Sequence, residues 1–256
     1  MSVNFDRVHP SHRGPNTVDM TRMQVAGLIR AAGHRCVLDL PCGTGALTHA
    51  LLEHGIDVVS ADLEPHEFIV PGRSCIRADL NAALPFEAGQ FDAIACVEGI
   101  EHIENPHLLA REANRILKTG GRVYITTPNV LSIRSRLSYL LRGYPEQFHY
   151  MIEVDPANGR EHPIAHINPI GFLELRYTLS RWGFHVDLVE TNRYRKQHSF
   201  LYRLLRALLQ SKGKRSAAAH PRIAEVRKAL LSDAVLFGEG LIVGATKVAD
   251  WSRVSA

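Results

Sequence analysis

The stretch VLDLPCGTGALTHALLEHGIDVVSADLEP, residues 37–65, decides the architecture of this chain. An apolar run closes on Asp39, a turn carrying Gly43 and Gly45 follows, an amphipathic segment comes next, and a second apolar run ends at Asp62. Read by periodicity this is strand, turn, helix, strand, the repeating unit of a parallel sheet. The pattern continues on both sides. Ahead of it, residues 17–32 place Met20, Met23, Leu28 and Ile29 at helical spacing, so a helix is expected to pack before the first strand. Strands are expected at 36–40, 57–62, 74–77, 92–97 and 121–126, with helices at 45–54 and 106–118 and a short one near 66–70. Glycines in KTGGRVYITTP stop the third of these helices and start the next strand.

Beyond residue 130 the alternation becomes irregular. LSIRSRLSYLLRGYP sets Ile133, Leu137, Leu140, Leu141 and Tyr144 on one helical face, with Arg134 and Arg142 off it. NPIGFLELRYTLSRWGF reads as a helix capped at Asn168, FHVDLVE as a strand, and a last glycine-flanked strand is expected near 240–247. The chain is 256 residues long, 45% hydrophobic and 22% charged, which suits one core rather than two. A single domain over 1–256 is therefore expected: a core at 17–130, an insert at 131–165 and a basic amphipathic insert at 191–230 before the last strand.

No run of 18 uncharged apolar residues occurs, and the first residues, MSVNFDRVHPSHRG, lack the features of an export or transit signal. Cytosol is the expected location. Cys36, Cys42, Cys75 and Cys96 show no C-x-x-C spacing and are expected to be buried thiols. The net charge is only +4, but residues 191–230 hold eleven Lys/Arg against Glu225 alone. Within them SFLYRLLRALLQ lines up Leu201, Leu204, Leu205 and Leu208, with Arg203 and Arg206 off the stripe. Such a helix either packs as a lid or lies on an anionic membrane, at the inner face if the protein is cytosolic. The basic segment has no recognised RNA-binding module and no interleaved aromatic platform, so nucleic acid is not an expected partner.

In an open parallel sheet ligands sit beyond the carboxyl ends of the strands, which is where the glycine turn lies. Gly43 and Gly45 leave the backbone bare, the following helix offers free N–H groups, and Asp62, 19 residues past Gly43, can accept two ribose hydroxyl bonds. A nicotinamide dinucleotide would use a similar turn. Here Thr48 takes the place of the third fingerprint glycine, Asp39 precedes the turn, and Asp79-Leu80 follows the third strand. Carboxylates so placed suit a cationic amino-acid moiety and repel a pyrophosphate, by ~1 kcal/mol or more per close pair.

VLDLPCGTG, VVSADLEP, RADLNAALPFEAGQFDAIACVEGIEHIENP and EANRILKTGGRVYITTPN resemble, in order, the motifs of class I S-adenosylmethionine-dependent methyltransferases. The resemblance spans about residues 17–130, and HINPIGFLELRYTLSRWGF extends it to roughly 190. It implies a Rossmann-like α/β fold, a seven-stranded sheet with helices on both faces and a lid region. It further implies that Asp39 and the Gly43-Thr44-Gly45 backbone face the methionine part, Asp62 the ribose, and Asp79 with Leu80 the adenine. Pro41, Leu63 and Glu98 complete the implied cofactor set. Pro41 stands where the family has its first turn glycine, fixing φ near about −65° and removing one donor.

EGIEHIENP puts Glu98, Glu101 and His102 beyond the fourth strand, on one side if the chain turns helically there. His102, with Glu101, is the expected catalytic pair: a general base for a hydroxyl acceptor. The same residues with His166 offer a ligand set for Mg²⁺ or Zn²⁺, with His149 and His162 in reserve. E-x-x-E-H resembles the stretch found in quinone-ring and small-RNA O-methyltransferases. No N-P-P-Y-like motif follows the fourth strand, so oxygen is the expected acceptor atom, on a small-molecule, lipid-linked or saccharide substrate. Two rival functions are a nicotinamide-dependent oxidoreductase and a binding protein that keeps the fold without the chemistry.

Overall fold

Apolar runs that alternate with amphipathic ones assemble here as sheet and covering helices, and the order of elements follows the sequence. The computed structural model describes residues 17–148, 166–195, 199–211 and 221–251. Its strands are β1 (Cys36–Asp39), β2 (Asp57–Asp62), β3 (Cys75–Arg77), β4 (Phe91–Cys96), β5 (Leu117–Pro128), β6 (Phe184–Thr191) and β7 (Gly240–Lys247). Its helices are α1 (Thr17–Ala31), α2 (Ala46–Leu52), α3 (Pro106–Ile116), α4 (Ile133–Arg142), α5 (Phe172–Arg181), α6 (Phe200–Ser211), α7 (Pro221–Leu230) and α8 (Asp233–Phe237). The expected short helix near 66–70 is one 3₁₀ turn, Pro65–Glu67.

One seven-stranded sheet runs in the order β3-β2-β1-β4-β5-β7-β6. Strands β1 to β5 pair in parallel, Val37 beside Val58 on one side and Ala93 on the other. The last pairings depart from the parallel alternation: β7 runs antiparallel to both β5 and β6. The strand order reverses beside β1, so the crevice past β1 and β4 is the topological switch point.

The two faces of the sheet carry separate cores. Leu38, Ile94, Val123 and Val243 pack with α3 and α5 through Leu109, Ile116, Leu175 and Leu179. Val37, Val58, Ala93 and Tyr124 pack with α1 and α2 through Val25, Ile29, Leu47 and Leu51. Each fully buried Leu or Ile contributes roughly 1.5–3 kcal/mol, which fixes the register of the strands. On α1 the inward residues are Val25, Ala26 and Ile29; Met20 and Met23 are exposed, contrary to the periodicity reading. Caps agree with local chemistry. Asn105 accepts from Leu108 N–H ahead of Pro106, and Ser132 accepts from Ser135 N–H at the start of α4.

Helix α5 begins at Phe172 with Gly171 as its cap, not at Asn168. The amphipathic face expected on residues 131–144 is divided: Ile133 is buried, whereas Leu140 and Leu141 are exposed. In α6 the buried side chain is Tyr202, which packs with Ile133, Leu236 and Phe237, and with Leu205 and Leu209 at their edge. Among the described residues no helix is long and apolar enough to cross a membrane.

Candidate active site

The chain leaves β1 through a cis Leu40-Pro41 peptide into the glycine turn. Leu40 N–H still donates to Ala95 C=O and Cys42 N–H to Ala61 C=O, so the turn is pinned between β4 and β2. Gly43 adopts φ +52° and Gly45 φ +91°, conformations that cost L side chains energy. The two glycines serve different purposes. A Cβ on Gly45 would lie 2.4 Å from Val70 Cγ2 and 2.6 Å from Phe68 Cε2, because residues 68–70 fold over the turn and Ile69 N–H donates to Thr44 C=O. A Cβ on Gly43 would meet only Arg22 Nη2, at 3.5 Å. The open side of the turn is therefore at Gly43.

Asp62 closes β2 with both carboxylate oxygens against backbone donors: Oδ2 accepts from Gly43 N–H at 2.7 Å and Oδ1 from Glu64 N–H at 3.0 Å. Each oxygen retains a second lone pair, so the group can still take two hydroxyls of a ligand. Arg22, on α1, is a site residue that sequence reasoning missed. Its guanidinium stands beside the bare backbone at Gly43, a pairing suited to a carboxylate. Its signal was slight, one Arg within an apolar helical run.

Asp39 sits beneath the turn, 1% exposed, where its Oδ2 accepts from Thr48 Oγ1 at 2.7 Å and Thr48 Oγ1 in turn meets Ser60 Oγ at 2.8 Å. It braces the turn from below and does not open into its mouth. Burial pushes the Asp39 carboxyl up from 3.8 to about 6, against the lowering effect of its Thr48 bond. A folded-state value above the unfolded one means that ionised Asp39 costs stability at high pH. That cost vanishes below pH 3.8 and is complete above about 6. Two units correspond to about 3 kcal/mol. Asp39→Asn is therefore expected to gain stability relative to wild type, by about 2–3 kcal/mol, as pH rises from 4 to 7. Urea unfolding at several pH values measures this, and parallel curves for the two proteins would count against it.

Past the end of β3 Asp79 is exposed, its Oδ1 accepting from Asn81 N–H at 2.8 Å, while Leu80 is buried and Leu63 is 45% exposed. All four cysteines are free; Cys42 and Cys96 are buried, but Cys36 and Cys75 are only partly so.

The second half of the site is the chain just past β4. Gly99 is forced small by Pro41: a Cβ there would lie 2.6 Å from Pro41 Cδ, which joins the glycine turn to this segment. Residues Ile100–His102 form a 3₁₀ turn. Glu98 lies outside it at φ +52°, its Oε1 accepting from Thr126 Oγ1 at 2.8 Å. Glu101 and His102 are joined instead by His166: ligand atoms of the three lie within 4.8 Å of one another. Of the four expected metal ligands, Glu101, His102 and His166 come together, while Glu98 accepts from Thr126 with its carboxylate still close to Glu101. His149 and His162 lie outside the described residues.

The geometry that gathers them is backbone-driven. Ile167 and Asn168 N–H groups both donate to Glu101 C=O at 3.0 Å, which clamps the segment entering α5 onto the β4 end. Asn168, three residues ahead of the cap Gly171, donates its side-chain amide to Ile103 C=O and lies outside the helix. His166 Nδ1 lies 2.8 Å from Gln147 C=O and must be the donor, leaving Nε2 as the ring's acceptor. The His102 and His166 rings meet edge to face at 4.8 Å. Burial, then His102, lowers the His166 pKa and favours the neutral ring.

Glu101 is wholly buried; neither carboxylate oxygen has a partner at good hydrogen-bond geometry, although the Glu98 carboxylate and the Thr127 hydroxyl lie close to it. Burial, followed by the nearby Glu98 carboxylate, pushes its pKa well above the carboxylate range. A buried carboxylate without donors is costly unless a proton or a cation compensates it. One carboxylate and two imidazoles form a donor set that Zn²⁺ or Mg²⁺ accepts, with bonds of roughly 2.0–2.2 Å.

Beside the cluster a cavity of about 100 Å³ is lined by Arg134, Glu146, Gln147, Arg195, Tyr202 and Glu239 among others. Arg195 Nε and Glu239 Oε2 are buried there without partners, though the two side chains form an ion pair. A second cavity shares Arg134, Glu146 and Tyr202 with the first and continues to Leu141.

Residues 38–125 match the family described as "Methyltransferase domain". The ubiquinone biosynthesis O-methyltransferase of Xylella fastidiosa (strain 9a5c) is 31% identical over 168 residues, covering 62% of this chain and 64% of that protein. The enzyme of the same name from Methylococcus capsulatus is 30% identical over 149 residues, 52% of this chain and 62% of the relative. The chain thus spans somewhat under two thirds of the length of these curated relatives. A crystal structure of a SAM-dependent methyltransferase from Archaeoglobus fulgidus superposes with a TM-score of 0.55 at 18% identity, over 88% of this chain and 94% of that one, which establishes the shared fold.

Proposed function

We propose that the chain is a class I S-adenosylmethionine-dependent methyltransferase, on the strength of the domain match at residues 38–125, its O-methyltransferase relatives and the shared fold, and that it moves the cofactor's methyl group to a hydroxyl oxygen of a small-molecule acceptor. The observation that carries this reading is the convergence of Glu101, His102 and His166 beside the end of β4, next to the glycine turn. S-adenosylmethionine, when bound, supplies a sulfonium methyl open to in-line attack. The rest is work for the chain. Asp62 takes the ribose hydroxyls, Asp79 and Leu80 flank the adenine, and Arg22 with the Gly43 backbone holds the methionyl carboxylate. His102, whose ring is exposed toward the crevice, removes the acceptor's proton as its oxygen bonds to carbon. The sulfur keeps the electron pair of the broken bond, and the proton stays on His102. Positioning of the oxygen in line supplies much of the remaining acceleration.

A divalent cation held by Glu101, His102 and His166 would be the alternative to His102 as base, because a ligating imidazole has no lone pair left to take the proton. Such an ion would lower the pKa of the acceptor hydroxyl. Transfer is expected to fall at least about tenfold after EDTA dialysis and to return with either Mg²⁺ or Zn²⁺ alone. Unaltered turnover in metal-free protein would leave His102 to act as an unassisted base. The printed names of the ubiquinone-pathway relatives support oxygen as the acceptor atom. The nicotinamide alternative fits poorly with Asp39 and Thr48 locked under the turn, where a third glycine would be needed for a close pyrophosphate.

The test is radiolabelled methyl transfer from S-adenosylmethionine across phenolic, glycan and lipid-linked hydroxyl acceptors. Incorporation that survives mild base, as an ether does, supports the reading. Incorporation only into amines would overturn it.

A further inference from the structure

Helix α6 has more apolar surface than the fold covers. Leu205 and Leu209 lie against the small core formed by Ile133, Tyr202, Leu236 and Phe237. The neighbouring part of the same apolar arc faces outward: Phe200 is 82% exposed, Leu201 54%, Leu204 48% and Leu208 53%. On α4, Leu140 and Leu141 are 78% and 79% exposed, and Leu141 lines one cavity together with Tyr202 of α6. Large apolar side chains turned outward on both helices, which share the small core above, mark an interaction surface.

Charge decides the occupant. The two helices carry charge of one sign, Arg134, Arg136 and Arg142 on α4 and Arg203 and Arg206 on α6 with no acid on either, although Glu146 pairs with Arg134 and Arg142 and Asp233 with Arg206. Arg203 lies exposed on α6 beyond the leucine stripe, and Arg142 ends α4. A second copy of the chain would set basic against basic. An anionic bilayer satisfies both features, taking leucines into its interfacial zone and pairing arginines with phosphates.

We propose that the outward faces of α4 and α6 dock this protein on an anionic lipid surface. Leu141 and Arg142 of this face line one cavity, which shares Arg134, Glu146 and Tyr202 with a second that Gln147 lines. If the methyltransferase reading holds, docking brings the protein to a bilayer-anchored acceptor; the docking itself does not depend on that reading.

The experiment is flotation of the full chain with vesicles of phosphatidylcholine alone or with 30% phosphatidylglycerol, at about 50 and 500 mM salt. Wild type is expected to float with the anionic vesicles at low salt, at least tenfold more than with neutral ones, and to be released in part by high salt. The variant L140S/L141S/L201S/L204S should lose at least tenfold of that binding. Because these side chains are exposed, it should keep the wild-type melting temperature. Arg203→Gln is a second variant, expected to lower anionic binding without touching the apolar face. No flotation of wild type with anionic vesicles, equal flotation of the quadruple variant, or a dimer in solution that the same substitutions dissolve would each overturn the proposal. S-adenosylhomocysteine calorimetry on the same samples separates the two readings: vesicle binding without cofactor binding keeps the docking and removes the catalytic proposal.

Discussion

His102→Ala is expected to lose about 10²–10⁴-fold in kcat, the range of a lost general base, while binding S-adenosylhomocysteine within about twofold of wild type. The ring is exposed at the crevice, so its removal leaves no cavity in the core and the fold should persist. The effect is expected on the chemical step because the cofactor contacts proposed above lie on α1 and at the ends of β1, β2 and β3, whereas His102 lies beyond β4. His166→Ala should act more mildly if the base works alone, and almost as severely if a cation joins the two rings. Stopped turnover with intact cofactor binding is therefore the diagnostic pair. A His102→Ala enzyme with wild-type kcat would remove this residue from the chemistry.

Asp62→Ala should give the second large effect, on binding. Two hydroxyl bonds to a carboxylate contribute about 1.5 kcal/mol or more each, so the dissociation constant for S-adenosylhomocysteine should rise on the order of 10²-fold. Part of that loss comes through the turn itself. Without Asp62 the Gly43 and Glu64 N–H groups lose their acceptor, and the backbone that faces the ligand is no longer pinned. Asp62→Asn retains an acceptor oxygen and should fall between the two. Titration calorimetry reads all three proteins, and an unchanged constant in Asp62→Ala would place the cofactor elsewhere.

What the sequence revealed follows from the range over which each signal acts. Strand β2 falls at the expected residues, and α2 and β1 within one or two, because glycine turns and apolar runs are local. The acids that end β1 and β2 were legible for the same reason. The antiparallel β7 was not, since a strand's direction depends on which neighbours have already formed. Asn168 resembled a cap, but its backbone N–H is held by Glu101 C=O and its amide by Ile103 C=O past β4, and the helix starts only at Phe172. Glu98 had the correct spacing for a ligand, yet it adopts a positive φ and gives an oxygen to Thr126, so it stands near Glu101 without joining the three-residue group, a feature no spacing rule contains. Met20 and Met23 matched a helical face that the real contacts at Val25, Ala26 and Ile29 bypass. Arg22 was silent because only the three-dimensional approach of α1 to the turn gives it a place at the site.

Whether this crevice holds S-adenosylmethionine is tested most directly by calorimetry with S-adenosylhomocysteine on the folded, full-length chain, with NAD as the comparison. A saturable one-to-one isotherm for S-adenosylhomocysteine, weakened in Asp62→Ala and absent for NAD, is the expected result. Heat with NAD and none with S-adenosylhomocysteine would contradict the account at its foundation.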